Sequence, residues 1–348
     1  MKILQKKNVL ITIIVMSIVW LTCIFTPQIN KGITKFFMSQ NIATRKDNLI
    51  VHFISVGQGD AIAINLPDGK IVLIDAGTVD YAVDYTKYLY DNVLSNSKDK
   101  NIDCLILSHA DKDHFGGAKR LMQEFDIEQI ILPYYNEDKE DYKDLISSVE
   151  NNEIPTKSVD EIDNLSAKNY KIKLFYIEED ETNASSTVVK LEYKGTKFLF
   201  TGDIDIETEH ELVSKYGDEM DCDILKVAHH GSKMSTSKEF LSEASPEHAV
   251  ISCDKNSYGH PTDTVLKNLA EIGAKIHRTD TDGNMVFVVD NKVGLFCLKD
   301  DYNITNLWFN YAIFVLIVEI LIIIKVVVEI LIVLKKKHTS KKLLVKKS

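Results

Sequence analysis

The chain has 348 residues, 45% of them hydrophobic, with 41 Lys+Arg against 51 Asp+Glu and a formal net charge of −10. Residues 1–30 hold three lysines, and residues 304–348 hold eight lysines and two glutamates; the stretch between them carries 30 basic and 49 acidic residues, a charge of −19. Such a domain repels phosphate backbones, which counts against tight, non-specific DNA binding but leaves room for a local basic groove or for bound metals.

Residues 1–7 are basic and lead into an apolar run over residues 9–25, about 17 residues, the lower limit for a spanning helix. A cleaved signal peptide would have a shorter apolar region and a small-residue cleavage site. No Ala-x-Ala follows, so residues 1–30 are expected to be an uncleaved signal anchor and 31–48 a linker. Strand-like runs then appear at 49–54, 61–66, 71–74 and 102–107, with a helical pattern over 81–94. The run 71–74 ends in Asp75. The run 102–107 ends in Ser108-His-Ala-Asp-Lys-Asp-His-Phe-Gly-Gly117, with two imidazoles and two carboxylates in the six positions from His109 to His114. His, Asp and Glu are the usual donors of a catalytic metal site. A polar strand-to-helix turn would explain one such pair but not four in six. The loop lies between a buried strand and a helical pattern over 118–125, where open α/β folds place their active sites.

Further strands are expected at 130–132, 171–175, 188–193, 198–200, 224–227, 249–252, 285–289 and 295–298, and helices at 142–150, 208–215 and 262–272. Several of these runs also end in metal-ligand residues: Thr201-Gly-Asp203, His229-His-Gly-Ser232 and, in a loop, Tyr258-Gly-His-Pro261. Residues 136–141 and 178–181 are acidic and read as solvated loops. The five cysteines show no ligand clustering and read as buried thiols. Strands interspersed with helices fit two mixed sheets packed between outer helices. Residues 307–334 are apolar apart from Asn310, Glu319, Lys325 and Glu329, and Lys335-Lys-Lys337 follows. Lysines flanking both apolar runs put both termini in the cytoplasm and residues 31–303 outside. An interfacial helix is the other reading of the C-terminal run, because Glu319 has no obvious partner.

His-x-Asp-x-Asp-His-x-Gly-Gly, Thr-Gly-Asp and His-His-Gly-Ser resemble the metallo-β-lactamase family. Val56-Gly-Gln-Gly-Asp-Ala61, Asn183-Ala-Ser-Ser-Thr-Val-Val189 and Tyr258-Gly-His-Pro261 narrow the resemblance to hydrolases similar to the extracellular domain of late-competence ComEC proteins. It covers about residues 49–299. It implies a metallo-β-lactamase-like αββα sandwich of two mixed sheets, here flanked by N- and C-terminal transmembrane segments (300–334 at the C-terminal end, then a basic tail, 335–348). It implies that His109 and Asp111 hold one divalent ion, Asp113 and His114 a second, and that Asp203 bridges them, with His230 or His260 completing the set. His229 and the remaining histidine would contact the substrate's oxyanion, and Asp75 would orient the ligand loop.

Two departures bear on the metals. Asp111 stands where the superfamily commonly has His, and Asn183 and Ser185 stand where many members have another ligand histidine. Ser55 replaces an Asp frequent before the Val-Gly-Gln-Gly run. The oxygen-rich set shifts preference towards Mn²⁺ without excluding Zn²⁺. The expected function is a bacterial-type, membrane-anchored, extracytoplasmic binuclear hydrolase, a phosphodiesterase or nuclease acting on single-stranded DNA or another phosphodiester. The alternatives are a cell-surface phosphodiesterase acting on wall-polymer substituents and a non-catalytic metal-binding membrane scaffold. Beyond the lipid bilayer and the substrate, no protein partner is deducible.

Overall fold

Strands that are apolar at every position have to be covered on both faces. The computed structural model describes residues 48–94, 100–134, 139–162, 164–178, 183–290 and 294–299. The expected anchor, linker, C-terminal membrane segment and basic tail lie outside these, apart from Asn48 at the linker's end. Among the described residues no helix is long and apolar enough to cross a membrane.

The strands of the first half are β1 (Leu49–Phe53), β2 (Ile62–Asn65), β3 (Ile71–Ile74), β4 (Asn101–Ile102), β5 (Cys104–Ile106), β6 (Asp126–Ile127), β7 (Ile130–Leu132) and β8 (Thr156–Ser158). The second half supplies β9 (Lys171–Phe175), β10 (Val188–Tyr193), β11 (Thr196–Phe200), β12 (Ile224–Lys226), β13 (His248–Ile251) and β14 (Lys275–Arg278), then β15 (Met285–Asp290) and β16 (Gly294–Lys299). One sheet has the order β16-β15-β1-β2-β3-β5-β7-β8 and the other β14-β13-β12-β11-β10-β9, while β4 and β6 form a short separate pair. Both large sheets are mixed. β3, β5, β7 and β8 are parallel, as are β11 to β14, and the remaining pairs of these two sheets are antiparallel.

Period-two alternation sorts the side chains into layers. Leu49, Val51 and Phe53 of β1, and Phe198 and Phe200 of β11, join Phe287 in the core between the sheets. Phe53 and Phe287 meet edge to face at 5.6 Å, and Phe198 and Phe287 at 6.2 Å. The alternate residues face outward: Ala63, Leu73 and Leu105 pack with Tyr85, Leu121 and Leu145 of the helices over the first sheet. Leu199, Leu225 and Ala249 pack with Leu212, Leu241 and Leu269 of the helices over the second. The result is the expected four-layer αββα sandwich.

Several boundaries depart from the sequence reading. The run 102–107 divides at Asp103, whose carboxylate accepts the Ile71 N–H at 2.8 Å. The helix expected over 81–94 is Ala82–Tyr88, and the chain continues as a wider π-type turn over Leu89–Val93. Glu140 and Asp141, read as loop, open helix Glu140–Asn151, where acidic residues favour the positive end of the helix dipole. Cys104, Cys222 and Cys253 are buried free thiols.

Candidate metal centre

The site is built where β3, β5, β11 and β12 end. Asp75 follows β3 in a left-handed conformation, φ 60°. Its carboxylate accepts the Ser108 N–H, the Ser108 hydroxyl and His114 Nδ1–H, each at 2.7 Å. The Ser108 hydroxyl oxygen is in turn 3.0 Å from His109 Nδ1, which can donate to it. His230 Nδ1–H donates to the Ser252 carbonyl at 2.9 Å, and the His229-His230 turn that aims this ring is left-handed at both residues, φ 48° and 53°. Non-glycine residues hold that conformation only where their surroundings dictate it. Gly202 lets the two halves meet, since a Cβ there would stand 2.8 Å from the Ser186 Cβ and 3.2 Å from the Ser108 Cβ.

With each Nδ1 engaged, three Nε2 atoms face the interior. Those of His109, His114 and His230 are buried without a hydrogen-bond partner. His114 Nε2 lies 3.4 Å from Asp203 Oδ2, and His230 Nε2 lies 3.3 Å from the same oxygen and 3.4 Å from Asp113 Oδ2. The ligand atoms of Asp113, His114, Asp203 and His230 all lie within 4.8 Å of one another. Donors about 2.0–2.2 Å from a shared cation stand roughly 3.0–3.5 Å apart. Orphaned imidazole nitrogens and carboxylates at that spacing therefore fit a divalent metal.

The charges point the same way. Burial penalises every ion here, but the charge of Asp203 and the contact with Asp113 offset it at His230, whose pKa rises to about 9. Burial likewise opposes the proton on His114, and Asp203 and Asp75 hold its pKa well above the usual histidine value. Burial pushes Asp203 upward, yet His230, His114 and Lys226 keep it well below the carboxylate range. Burial and the neighbouring His114 charge hold His109 well below 6.5. A metal that takes these nitrogens displaces protons from them.

The remaining expected residues divide. His109 packs on His114 with ring centroids 4.0 Å apart. Asp111 Oδ2 is 3.8 Å from His109 Nε2, while Oδ1 accepts a hydrogen bond from Lys139 Nζ at 2.6 Å. His229 and His260 pair edge to face at 5.7 Å, and His260 is not part of the four-residue cluster. Lys226 escaped the sequence reading, and Asp60 entered it only as part of the Val56–Ala61 motif. Lys226, 1% exposed, forms an ion pair with Asp60, donates to the Gly202 carbonyl at 2.9 Å and reaches Asp203 Oδ1 at 3.5 Å. The signal was a lysine inside an apolar strand, since lysine is almost never fully buried unless paired.

The sequence matches the Metallo-beta-lactamase superfamily over residues 54–254. The chain belongs to that superfamily. Members of that superfamily are mostly metal-dependent hydrolases, so divalent ions are the implied cofactor, and the chain is related to competence proteins. It is 30% identical over 275 residues to ComE operon protein 3 of Bacillus subtilis, covering 74% of this chain and 35% of that protein. It is 40% identical over 108 residues to Competence protein ComA of Neisseria gonorrhoeae, covering 31% of this chain and 16% of that one. It is 27% identical over 241 residues to Recombination protein 2 of Haemophilus influenzae, covering 68% and 28% respectively. The chain thus spans about a third or less of the length of these relatives. Among solved structures, the metallo-β-lactamase fold protein YhfI of Bacillus subtilis aligns with 73% of this chain and all of its own at 12% identity and a TM-score of 0.46, too distant to bear on the site.

Proposed function

We propose that the protein is a two-ion phosphodiesterase, held at a bacterial-type cell membrane by residues 1–30 and 300–334 with its hydrolase domain outside. The observation that carries the hydrolytic reading is the convergence of two buried, unpartnered Nε2 atoms, those of His114 and His230, on Asp203 and Asp113. Asp113, His114, Asp203 and His230 would hold one ion, and His109 and Asp111, sharing Asp203, the other. When bound, divalent ions make water acidic enough to attack near neutral pH and stabilise charge on the attacking and leaving oxygens. Asp75 keeps the His114 proton on Nδ1, and Ser252 does the same for His230. His260, whose pKa is lowered by partial burial and by the charges of His229 and His230, meets the substrate as a neutral imidazole able to donate to a phosphoryl oxygen. The carboxylate-rich donor set favours Mn²⁺ over softer ions. The names of the competence relatives favour DNA as substrate.

The test is cleavage of bis(p-nitrophenyl) phosphate by the full chain in detergent with Mn²⁺ or Zn²⁺. Chelator and His114→Ala should both abolish it. Metal that stays bound while no diester is cleaved would make the protein a metal-binding scaffold instead. The charge of −19 over residues 31–303 favours a second reading, a phosphodiesterase for wall-polymer substituents. Salt separates the two, because cleavage of single-stranded DNA should weaken steeply with added salt and cleavage of a small diester should not. Protease added to intact cells should digest 31–303 and spare tags at both termini; a protected middle would overturn the topology.

A further inference from the structure

The two ion positions differ in how far their ligands are assembled. Four side chains converge on the Asp113–His114–Asp203–His230 position, three of them buried. The position of His109 and Asp111 is not drawn together in this way. One Asp111 oxygen is 3.8 Å from His109 Nε2, and the other is engaged by the Lys139 ammonium at 2.6 Å. Asp111 is 32% exposed and Lys139 37%, so both reach the mouth of the site. Each sits at a helix start, Asp111 before Lys112–Phe115 and Lys139 before Glu140–Asn151. A carboxylate oxygen that accepts from an ammonium offers less charge to a metal. An ammonium on one oxygen also stands within about 7 Å of any ion that the other oxygen holds at 2.0–2.2 Å, where like charges repel.

We propose that Lys139 sets the order of metal loading and couples it to substrate: the four-residue position fills first and more tightly, and the His109–Asp111 position fills when Lys139 yields Asp111 and turns its ammonium to the substrate's phosphoryl oxygens. This rests on the reading of the site as a two-ion phosphodiesterase. Lysine serves phosphate as a point charge and needs no fixed fork geometry, which suits a side chain that changes partners. By reciprocity, a bound phosphoryl anion then tightens the weaker ion, and the weaker ion tightens the anion.

The experiment is a Mn²⁺ titration of the chelator-stripped full chain in detergent, following free Mn²⁺ by electron paramagnetic resonance, with and without inorganic phosphate. Two phases of unequal affinity are expected, and phosphate should tighten the weaker. Lys139→Met should strengthen the weaker phase by about two- to fivefold, the range for an ion pair of this exposure, leave the stronger unchanged and abolish the phosphate effect. Lys139→Arg, which keeps the charge, should retain the wild-type pattern. A single phase, two equal phases, a weaker phase indifferent to Lys139→Met, or no phosphate effect in the wild type would overturn the proposal. The titration does not depend on turnover. Unequal phases with the stated Lys139 response in a protein that cleaves no diester would therefore refute the phosphodiesterase reading and leave the loading order standing.

Discussion

Replacing Asp75 by Asn tests how the ligand loop is held. The carboxylate is 1% exposed and accepts three hydrogen bonds of 2.7 Å, from the Ser108 N–H, the Ser108 hydroxyl and His114 Nδ1–H. Asn is nearly isosteric and tolerates the left-handed backbone, so the turn itself survives. Its Oδ1 can keep the Ser108 N–H, but its NH₂ then faces His114 Nδ1. The imidazole must accept there and carry its proton on Nε2, the atom 3.4 Å from Asp203. A protonated Nε2 has no lone pair for a metal. Loss of a partner that orients a ligand histidine costs about 10–100-fold in metal affinity, and loss of a hydrogen bond to a charged buried group costs about 1.5–3 kcal/mol of stability. Calorimetric Mn²⁺ titration with a parallel urea melt reads both quantities. Asp75→Asn that folds and binds Mn²⁺ within twofold of wild type would refute the tautomer argument.

Two further perturbations address stability. Lys226→Met leaves the Asp60 carboxylate in the core without its cation, which should cost about 3–5 kcal/mol, and the double variant Lys226→Met/Asp60→Leu should regain most of it; a double variant no more stable in urea than the single would disprove the pairing. His52 is 4% exposed and lies 3.1 Å from both Asn65 Oδ1 and the Tyr88 hydroxyl; burial lowers its pKa to about 4 despite the Asn65 bond. The unfolded chain takes up this proton near 6.5 and the folded one does not, so stability is fully present above 6.5 and lost as pH falls towards 4. The loss is about 1.4 kcal/mol per pH unit and roughly 3 kcal/mol in all. His52→Gln should flatten the urea-derived stability profile in that window, and an unchanged slope would show that His52 does not titrate this way.

Where burial on both faces dictates the residues, the strands are plain in the sequence, and β3, β7 and β10 have the boundaries expected of them. The edge strand β9 also does, because its exposed lysines alternate with buried Ile172 and Leu174. The edge strands β8 and β14 are not plain: Thr156-Lys-Ser158 and Lys275-Ile-His-Arg278 mix charge with partial exposure and show no apolar run. Helix Lys238–Ala244 spans seven residues, too few for a periodic pattern, and its best local mark is Ser237, whose side chain accepts the Phe240 N–H. The candidate ligand types and their order are legible because most of them follow a strand that the core demands. Which of His230 and His260 joins the Asp113–His114–Asp203 cluster is not legible, because it turns on the two left-handed residues that swing His230 inward. The Lys226–Asp60 pair joins residues far apart in the chain, and no local pattern could have matched them.

The last strands of the domain pair with its first. β15 lies against β1, with Leu49 opposite Val289 and Phe53 opposite Met285. A ribosome adding about 5–20 residues per second needs roughly 10–50 s to make the 240 residues between those partners. Through that interval one flank of β1 is an open template for any extended segment nearby, and the aromatic cluster around Phe53 and Phe198 lacks Phe287. Every candidate metal ligand has been synthesised before the strand that covers this flank of β1. The candidate site and an unpaired β1 therefore coexist in the nascent chain, because the domain is completed from its end back to its beginning.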